Sequence, residues 1–341
     1  MAPLTSLIDK PDTLVGAWMR ETFPHVRLLQ AAVCAATDDI LVPRPSEVPA
    51  GTQGAAADWW LRMLVAPAVP LDLAWNGARM RPRLRPLAQR FLQELDPDRA
   101  VLQPANFSTQ PDAWWASTCY ALALFVELYR NPGITNSPLL HLPPEADVAD
   151  LRALASPAVI ADLVTMRDVA LQHLLPQLPA GLVHAGPTFD GSRLIPADAD
   201  LINGDLLLDF KADQGGSPRQ DGTRSAALHR NDVYQVLGYA LMDTPDHYRL
   251  RHAGFYYARF GHLARWPLTE LLTITTGDAG ADLAALRGRF AEVLQQTRAA
   301  ENQASTERRQ RLLAASRTAE AGEAARGRRP RQEGVPRADA P

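Results

Sequence analysis

Apolar residues recur at helical spacing through the first part of the chain. Residues 14–36 and 112–131 place them three and four positions apart, which predicts helices. Proline-rich segments at residues 42–54 and 139–148 predict loops. Residues 1–150 are therefore predicted to form a mostly helical N-terminal domain. Six of the chain's seven tryptophans lie in it, which indicates a packed interior.

The pattern changes after residue 150. Ser156 as N-cap and Pro157 in the first turn predict a helix over residues 156–175. Alternating and Gly-punctuated residues then predict three strands, followed by a helix over 231–243 and strands over 248–261 and 263–268. This order predicts an α/β (α+β) core over residues 151–275. A C-terminal helix over 276–317 and a polar, disordered tail over 318–341 complete the predicted domains.

The segment ADADLINGDLLLDFKAD, residues 197–213, predicts a hairpin. Asn203-Gly204 between two apolar runs is typical of a type I′ turn, and with these two residues as the loop Asp198 lies opposite Asp209. Side chains alternate between the faces of a strand. One face is then apolar and collects Ala197, Ala199, Leu201, Leu206, Leu208 and Phe210. The other face collects Asp198, Asp200, Asp209 and Lys211.

This polar face indicates a metal site. Two aspartates opposite each other on paired strands are destabilising unless a cation lies between them, and Mg²⁺ prefers such oxygen ligands. The alternative is a solvated face on which Asp198 and Lys211 form a diagonal ion pair. Only two of the 35 basic residues are lysines, Lys10 and Lys211. In an arginine-rich chain, a lysine at this place favours a role for a compact ammonium.

The helix predicted after the hairpin carries a second polar pair. Gln235 and Tyr239 are four residues apart and share one face, with Asp232 beside them. Val233, Leu237 and Leu241 fall on another face, which suits packing on a sheet. The alternative is an amphipathic helix with an ordinary polar edge.

These motifs, in this order, resemble the PD-(D/E)XK nuclease superfamily. Asp200 before an apolar strand, Asp209-Phe210-Lys211 and Gln235-x-x-x-Tyr239 are similar to its Q-x-x-x-Y branch, which includes the RecB nuclease domain and lambda-type exonuclease. The resemblance covers residues 156–268. It implies a restriction-endonuclease-like core, a central mixed sheet flanked by helices, and a metal-dependent deoxyribonuclease that hydrolyses phosphodiester bonds as an exo- or endonuclease.

The resemblance also implies roles for single residues. Mg²⁺ or Mn²⁺ would be held by Asp200, Asp209 and the Phe210 carbonyl, and whether Asp198 or Asp200 is the main ligand stays open. Lys211 would position or activate the attacking water. DNA would be contacted by Gln235, Tyr239, Arg224 and Arg230, the last two on or beside a long polar loop that also carries Arg219.

The chain departs from the family pattern in one respect. Many members carry an upstream acid, commonly glutamate, as a further metal ligand, but no glutamate occurs between Glu145 and Glu270. Asp162, Asp168 or His184 would have to serve. The alternative function is therefore a catalytically inactive nuclease-fold protein that acts as a nucleic-acid-binding or assembly module.

Bulk composition narrows the setting. A net charge of −3 requires no nucleic-acid partner, although a local basic groove can exist within it. Residues 79–90 form a basic run of this kind. The run could contact phosphates, or it could be an ordinary solvated face. No secretory signal and no long apolar run is present, so we expect a cytoplasmic protein without a membrane partner. Partners would be DNA and, through the helical N-terminal domain, a second copy or another protein.

Overall fold

The computed structural model describes residues 2–66, 69–95 and 110–327, with side chains as far as residue 311. The described helices are α1 Leu4–Asp9, α2 Leu14–Thr22, α3 Arg27–Ala35, α4 Ala50–Val65, α5 Asp72–Arg79, α6 Arg85–Leu95, α7 Asp112–Arg130, α8 Val148–Arg152, α9 Pro157–His173, α10 Arg230–Met242, α11 Leu268–Thr276 and α12 Leu283–Gly327. The strands are β1 Val183–Ala185, β2 Leu201–Asn203, β3 Leu206–Lys211, β4 His252–Tyr257 and β5 His262–Pro267.

The five strands form one mixed sheet whose spatial order follows the chain, β1-β2-β3-β4-β5. All neighbours are antiparallel except β3 and β4, which are parallel. Parallel neighbours need a long crossover, and α10 lies in this one. Helices flank the sheet, so the predicted α/β class and the order of helix, three strands, helix and two strands are confirmed.

Helices cover both faces of the sheet. The first hydrophobic core lies between helices α4, α5, α6, α7 and α9 and the sheet face that carries Leu206 and Leu208. The second core lies between helices α1, α2, α3, α10, α11 and α12 and the sheet face that carries Ile202 and Leu207. The alternative of a hairpin with a solvated face is therefore wrong, because Ile202 and Leu207 on that face are fully buried. Strands covered on both faces read as continuous apolar runs, as β2 and β3 do.

The hairpin differs from the prediction by one residue. Asn203 pairs with Leu206, so the two-residue loop is Gly204-Asp205, and Gly204 takes the left-handed φ of 60° that such turns require. Each residue of β3 therefore pairs with a residue two positions further along than predicted. Because two is an even number, every side chain of β3 stays on its predicted face. One step beyond the pair formed by Leu201 and Leu208, Asp200 rather than Asp198 therefore lies next to Asp209.

The segment before β2 also differs from the prediction. Strand β2 begins only at Leu201, and the residues before it turn away from β3. Ala197 and Ala199 pack in the second core instead of on the face of Leu201. This divergence opens a gap at the end of the sheet beside Asp209.

Several helix boundaries differ from the predicted ones. Residues 14–36 form two helices, because Pro24 lies in the break between α2 and α3. Helix α4 begins at Ala50, inside the predicted loop, and α12 continues to Gly327, past the predicted end at residue 317. Residues 328–341 of the predicted tail lie outside the described residues. None of the helices in the described ranges is both long and apolar enough to cross a bilayer. The division of the chain at residue 150 stays a prediction.

Candidate active site

The gap between β2 and β3 opens into a cleft of about 1090 Å³. Strand β3 ends there and directs Asp209 and Lys211 towards α10, because Leu208 and Phe210, which flank Asp209, point into the other core. The predicted residues that line the cleft are Asp198, Asp200, Asp209, Phe210, Lys211, Gln235 and Tyr239. The fold thus brings together all the residues that the motifs predicted as catalytic or metal-binding.

Asp209 and Lys211 form one half of the site with α10. The Lys211 ammonium lies 2.8 Å from Asp209 Oδ2 and 2.6 Å from Asp232 Oδ1. The Gln235 amide donates to Asp209 Oδ1 and to the Tyr239 hydroxyl, both at 2.9 Å. Asp232 in turn accepts from the His229 backbone N–H and caps α10. The helix spacing of these side chains places them along one edge of α10, facing β3.

Asp200 connects the hairpin to helix α4. Its Oδ2 accepts a hydrogen bond of 2.7 Å from the Phe210 backbone N–H, which β2 leaves unpaired where it turns away. Its Oδ1 accepts from the Arg62 guanidinium at 2.6 Å. Arg62 also binds both oxygens of Asp58, at 2.7 and 2.5 Å. One buried arginine therefore clamps Asp58 and Asp200, and both carboxylates line the cleft.

Burial makes these carboxylates basic. It raises the pKa of Asp209 to about 7, against the opposing effect of the Lys211 ammonium and with the help of the Asp200 charge. Burial likewise raises the pKa of Asp58 to about 7, although Arg62 works in the other direction. Burial also raises the pKa of Asp198. The acids of the cleft are thus incompletely compensated by their cationic partners.

Burial alone would lower the pKa of Lys211, but the charges of Asp209 and Asp232 outweigh it and raise that pKa above its ordinary value. Arg62 behaves in the same way: burial opposes its charge, and Asp58 and Asp200 raise its pKa. Both cations stay charged at neutral pH.

The residues fit a divalent cation. Asp209 Oδ2 is buried beside the Lys211 ammonium at 2.8 Å and accepts no other hydrogen bond from a described residue. Asp58 and Asp200 present carboxylates to the same cleft. No three His, Cys, Asp or Glu side chains in the described part of the chain form a ready-made cage. Mg²⁺ does not need one, because one or two carboxylates with water and substrate oxygens suffice.

Other predicted residues lie elsewhere. Arg224 donates to the Gly216 carbonyl, and Arg219 donates to carbonyls of the loop after α3. Arg230 is exposed at the first turn of α10. None of the three lines the cleft. Arginines of the run at 79–90 mostly bind backbone carbonyls, those of Pro132, Leu140, Ala146 and Arg79.

The three upstream candidates also lie outside the cleft. Asp162 is buried in a two-pronged ion pair with Arg259. Asp168 is half-exposed and pairs with Arg167. The His184 ring packs edge-on against Tyr248. Their positions give them structural contacts and no access to Asp200 or Asp209.

The sequence reasoning missed Asp58, Arg62 and Asp232 as members of the site. A usable signal existed for the first two. They are the only charged residues of α4 and stand four positions apart in an otherwise apolar helix. A charged pair in a helix that is covered almost all round must be satisfied inside the protein, and this predicts a buried polar site.

No protein-family model, no curated protein and no solved structure matches the chain. The functional assignment therefore depends on the geometry of this cleft.

Proposed function

We propose that the protein is a metal-dependent DNA nuclease with a PD-(D/E)XK core, which hydrolyses phosphodiester bonds in the cleft at the end of β3. The observation that carries this proposal is the convergence of Asp200, Asp209 and Lys211, with Gln235 against Asp209. Three motifs that are short and separate in the sequence occupy one cavity, which a chance match does not require.

The carboxylates that would hold Mg²⁺ or Mn²⁺ are Asp200 and Asp209, with Asp58 as the further acid that the family commonly supplies from an upstream glutamate. Asp58 lines the same cleft and shares Arg62 with Asp200. The bound ion would lower the pKa of a water molecule and offset charge on the phosphate. Arg62 holds the two acids in place from behind, since it is buried and does not itself line the cleft.

Lys211 is proposed to position the attacking water and the phosphate. Its raised pKa keeps the ammonium protonated, so it acts as a hydrogen-bond donor and a positive charge rather than as a base. Two of its three donor directions point at Asp209 and Asp232. The third is available to a water or a phosphoryl oxygen in the cleft.

Gln235 and Tyr239 are proposed to order the site and contact the DNA backbone. The Gln235 amide fixes Asp209 Oδ1, and the Tyr239 ring stacks on Phe189 with its hydroxyl in the cleft. Neither residue is free to move without disturbing Asp209, so both also act as positioning residues.

The test is cleavage of linear, nicked and circular DNA with Mg²⁺ or Mn²⁺, by the wild type and by Lys211→Ala. Loss of one preorganised donor to the charge that develops in the transition state typically lowers a rate by about 10²- to 10³-fold, and we expect a fall of this size. Lys10→Ala is the matched control, because Lys10 is the chain's other lysine and is exposed. Absence of metal-dependent cleavage by the wild type on every substrate would contradict the function. An unchanged rate in Lys211→Ala would contradict the site.

One observation favours the alternative, a nucleic-acid-binding or assembly module without catalysis. Arg62 and Lys211 already neutralise part of the acid charge, as resident cations do in structural ion pairs. The same assay separates the two functions, since a binding module retains DNA without cutting it under any metal.

A further inference from the structure

One wall of the cleft is built by helices α5 and α7 and the residues that follow them. It comprises Leu73 of α5, Met80 after α5, Tyr129 and Arg130 at the end of α7, and Pro132. We refer to these five residues as the helical wall. The inference about the ligand of this wall rests on the proposed nuclease function, because the wall shares the cleft with Asp200 and Asp209.

Two large apolar side chains of the helical wall are exposed. Tyr129 is 41% and Met80 39% exposed, whereas residues 115–126 of α7 are all buried. Both lie at the ends of tightly packed helices and face the cleft instead of a core. Adjacent exposed apolar side chains in a cleft with polar groups are a mark of a binding surface.

Arg130 supplies the charge of the helical wall. It is exposed and makes no hydrogen bond or ion pair with any described residue. It nevertheless lines the cleft near the acids, since its charge lowers the pKa of both Asp58 and Asp198. An arginine held near the carboxylates without a partner is available to a phosphate that bridges the two sides of the cleft.

We infer that the helical wall binds an unpaired DNA strand, with a base stacked on the Tyr129 ring and the neighbouring phosphate on Arg130. Flat aromatic and thioether surfaces stack on base faces, which are exposed in single strands and hidden within a duplex. The size of the cleft also favours a single strand. Its volume of about 1090 Å³ is comparable to that of sites for small molecules, whereas a duplex brings two backbones separated by grooves of about 12 and 6 Å.

The inference is tested by fluorescence anisotropy with a labelled single-stranded oligonucleotide and with a blunt duplex of the same sequence. Ca²⁺ replaces Mg²⁺, and recovery of intact DNA is checked on a gel. We expect tighter binding of the single strand. Tyr129→Ala should weaken single-strand binding by about 5- to 100-fold, while Tyr129→Phe, which keeps the ring, stays near the wild type.

Arg130→Gln gives an independent measurement. Loss of one phosphate contact reduces the slope of log affinity against log salt by about 0.7 for a single strand. Arg193→Gln is the matched control, because the Arg193 side chain is 86% exposed and lies outside the cleft. All these side chains are at the surface, and the variants are expected to unfold at the wild-type temperature.

The outcomes are distinct from those of the nuclease assay. If the wild type cleaves DNA but Tyr129→Ala and Arg130→Gln bind a single strand as the wild type does, the inference about the wall is wrong and the nuclease function stands. If single-strand binding depends on both residues but no metal supports cleavage, the nuclease function is wrong and the inference about the wall is upheld. Equal affinity of the wild type for duplex and single strand overturns the inference, as does absence of binding to either.

Discussion

The protein buries two clusters of opposite charges, and they differ in balance. In the first, Asp162 of α9 receives two hydrogen bonds of 2.8 Å from Arg259 and a third from Gln53 of α4. Arg259 also donates to the Val42 and Ala212 carbonyls. One acid meets one base, and almost every polar atom has a partner.

The second cluster is the acid centre of the cleft. Here Asp58, Asp200 and Asp209 share two buried cations, Arg62 and Lys211. Burial raises the pKa of Asp58 and Asp209, and among the described residues Asp209 Oδ2 has the Lys211 ammonium as its partner and accepts no further hydrogen bond. A buried charge is tolerated structurally only when it is paired and bonded. On the proposed function, the balanced cluster holds the fold together and the unbalanced cluster is the one that takes a ligand.

Breaking the balanced cluster should have the largest effect on stability. Arg259→Met leaves Asp162 buried and unpaired, and removal of one partner of such a pair costs about 3–5 kcal/mol. Urea unfolding in EDTA measures this loss. Mn²⁺ should leave this difference from the wild type unchanged, because Asp162 lies outside the cleft and both proteins keep the acid centre. A loss below about 1 kcal/mol would contradict the structural role of the pair.

Breaking the acid centre should have a smaller net effect, and a metal should reverse it. Arg62→Met removes the clamp on Asp58 and Asp200, so the variant should be less stable than the wild type in EDTA. A cation that binds only the folded state adds about 2.7 kcal/mol at 100 times its Kd. We expect Mn²⁺ to raise the unfolding midpoint of Arg62→Met more than that of Arg259→Met.

The comparison fails if Mn²⁺ stabilises the two variants equally. It also fails if Mn²⁺ leaves the unfolding midpoint of both the wild type and Arg62→Met unchanged. Asp209→Asn serves as a further control, because it removes one carboxylate of the acid centre and should reduce the stabilisation by Mn²⁺.

The pH dependence of stability should report the acid centre without any substitution of its cations. The pKa of Asp58 and of Asp209 is about 7 in the folded chain and about 3.9 in an unfolded one. Between about pH 4 and pH 7 the folded state binds more protons. Stability without metal therefore falls as the pH rises, by up to about 1.4 kcal/mol per pH unit for each group.

Urea unfolding in EDTA at several pH values tests this slope. Asp209→Asn should lower it by roughly half, since one of the two groups no longer titrates. Asp168→Asn, which changes a half-exposed acid outside the cleft, is the matched control. A slope of opposite sign in the wild type would show that these carboxylates are ionised more easily in the folded chain than in the unfolded one.

Local patterns predicted the parts of the site that are close in the chain. Alternation along a strand placed Asp209 and Lys211 on one face, and helical spacing placed Gln235 and Tyr239 on another. The turn was predicted one residue too early. The side chains of β3 nevertheless lie on their predicted faces, because the pairing between β2 and β3 differs by two residues, an even number. The wrong partner for Asp209 followed from the same error.

The sequence by itself determined the sheet, its crossover helix and the motif residues of α10 and the hairpin, because strand alternation, helix spacing and turn chemistry are local. Only the tertiary structure decided that Asp58 and Arg62, with Arg62 138 residues before Asp200, join the acid centre. It also decided that Asp162 serves the core and that Tyr129 and Arg130 line the same cleft as the acids. Such contacts arise from helices packed on opposite faces of one sheet, and no pattern along the chain encodes which side chains meet there.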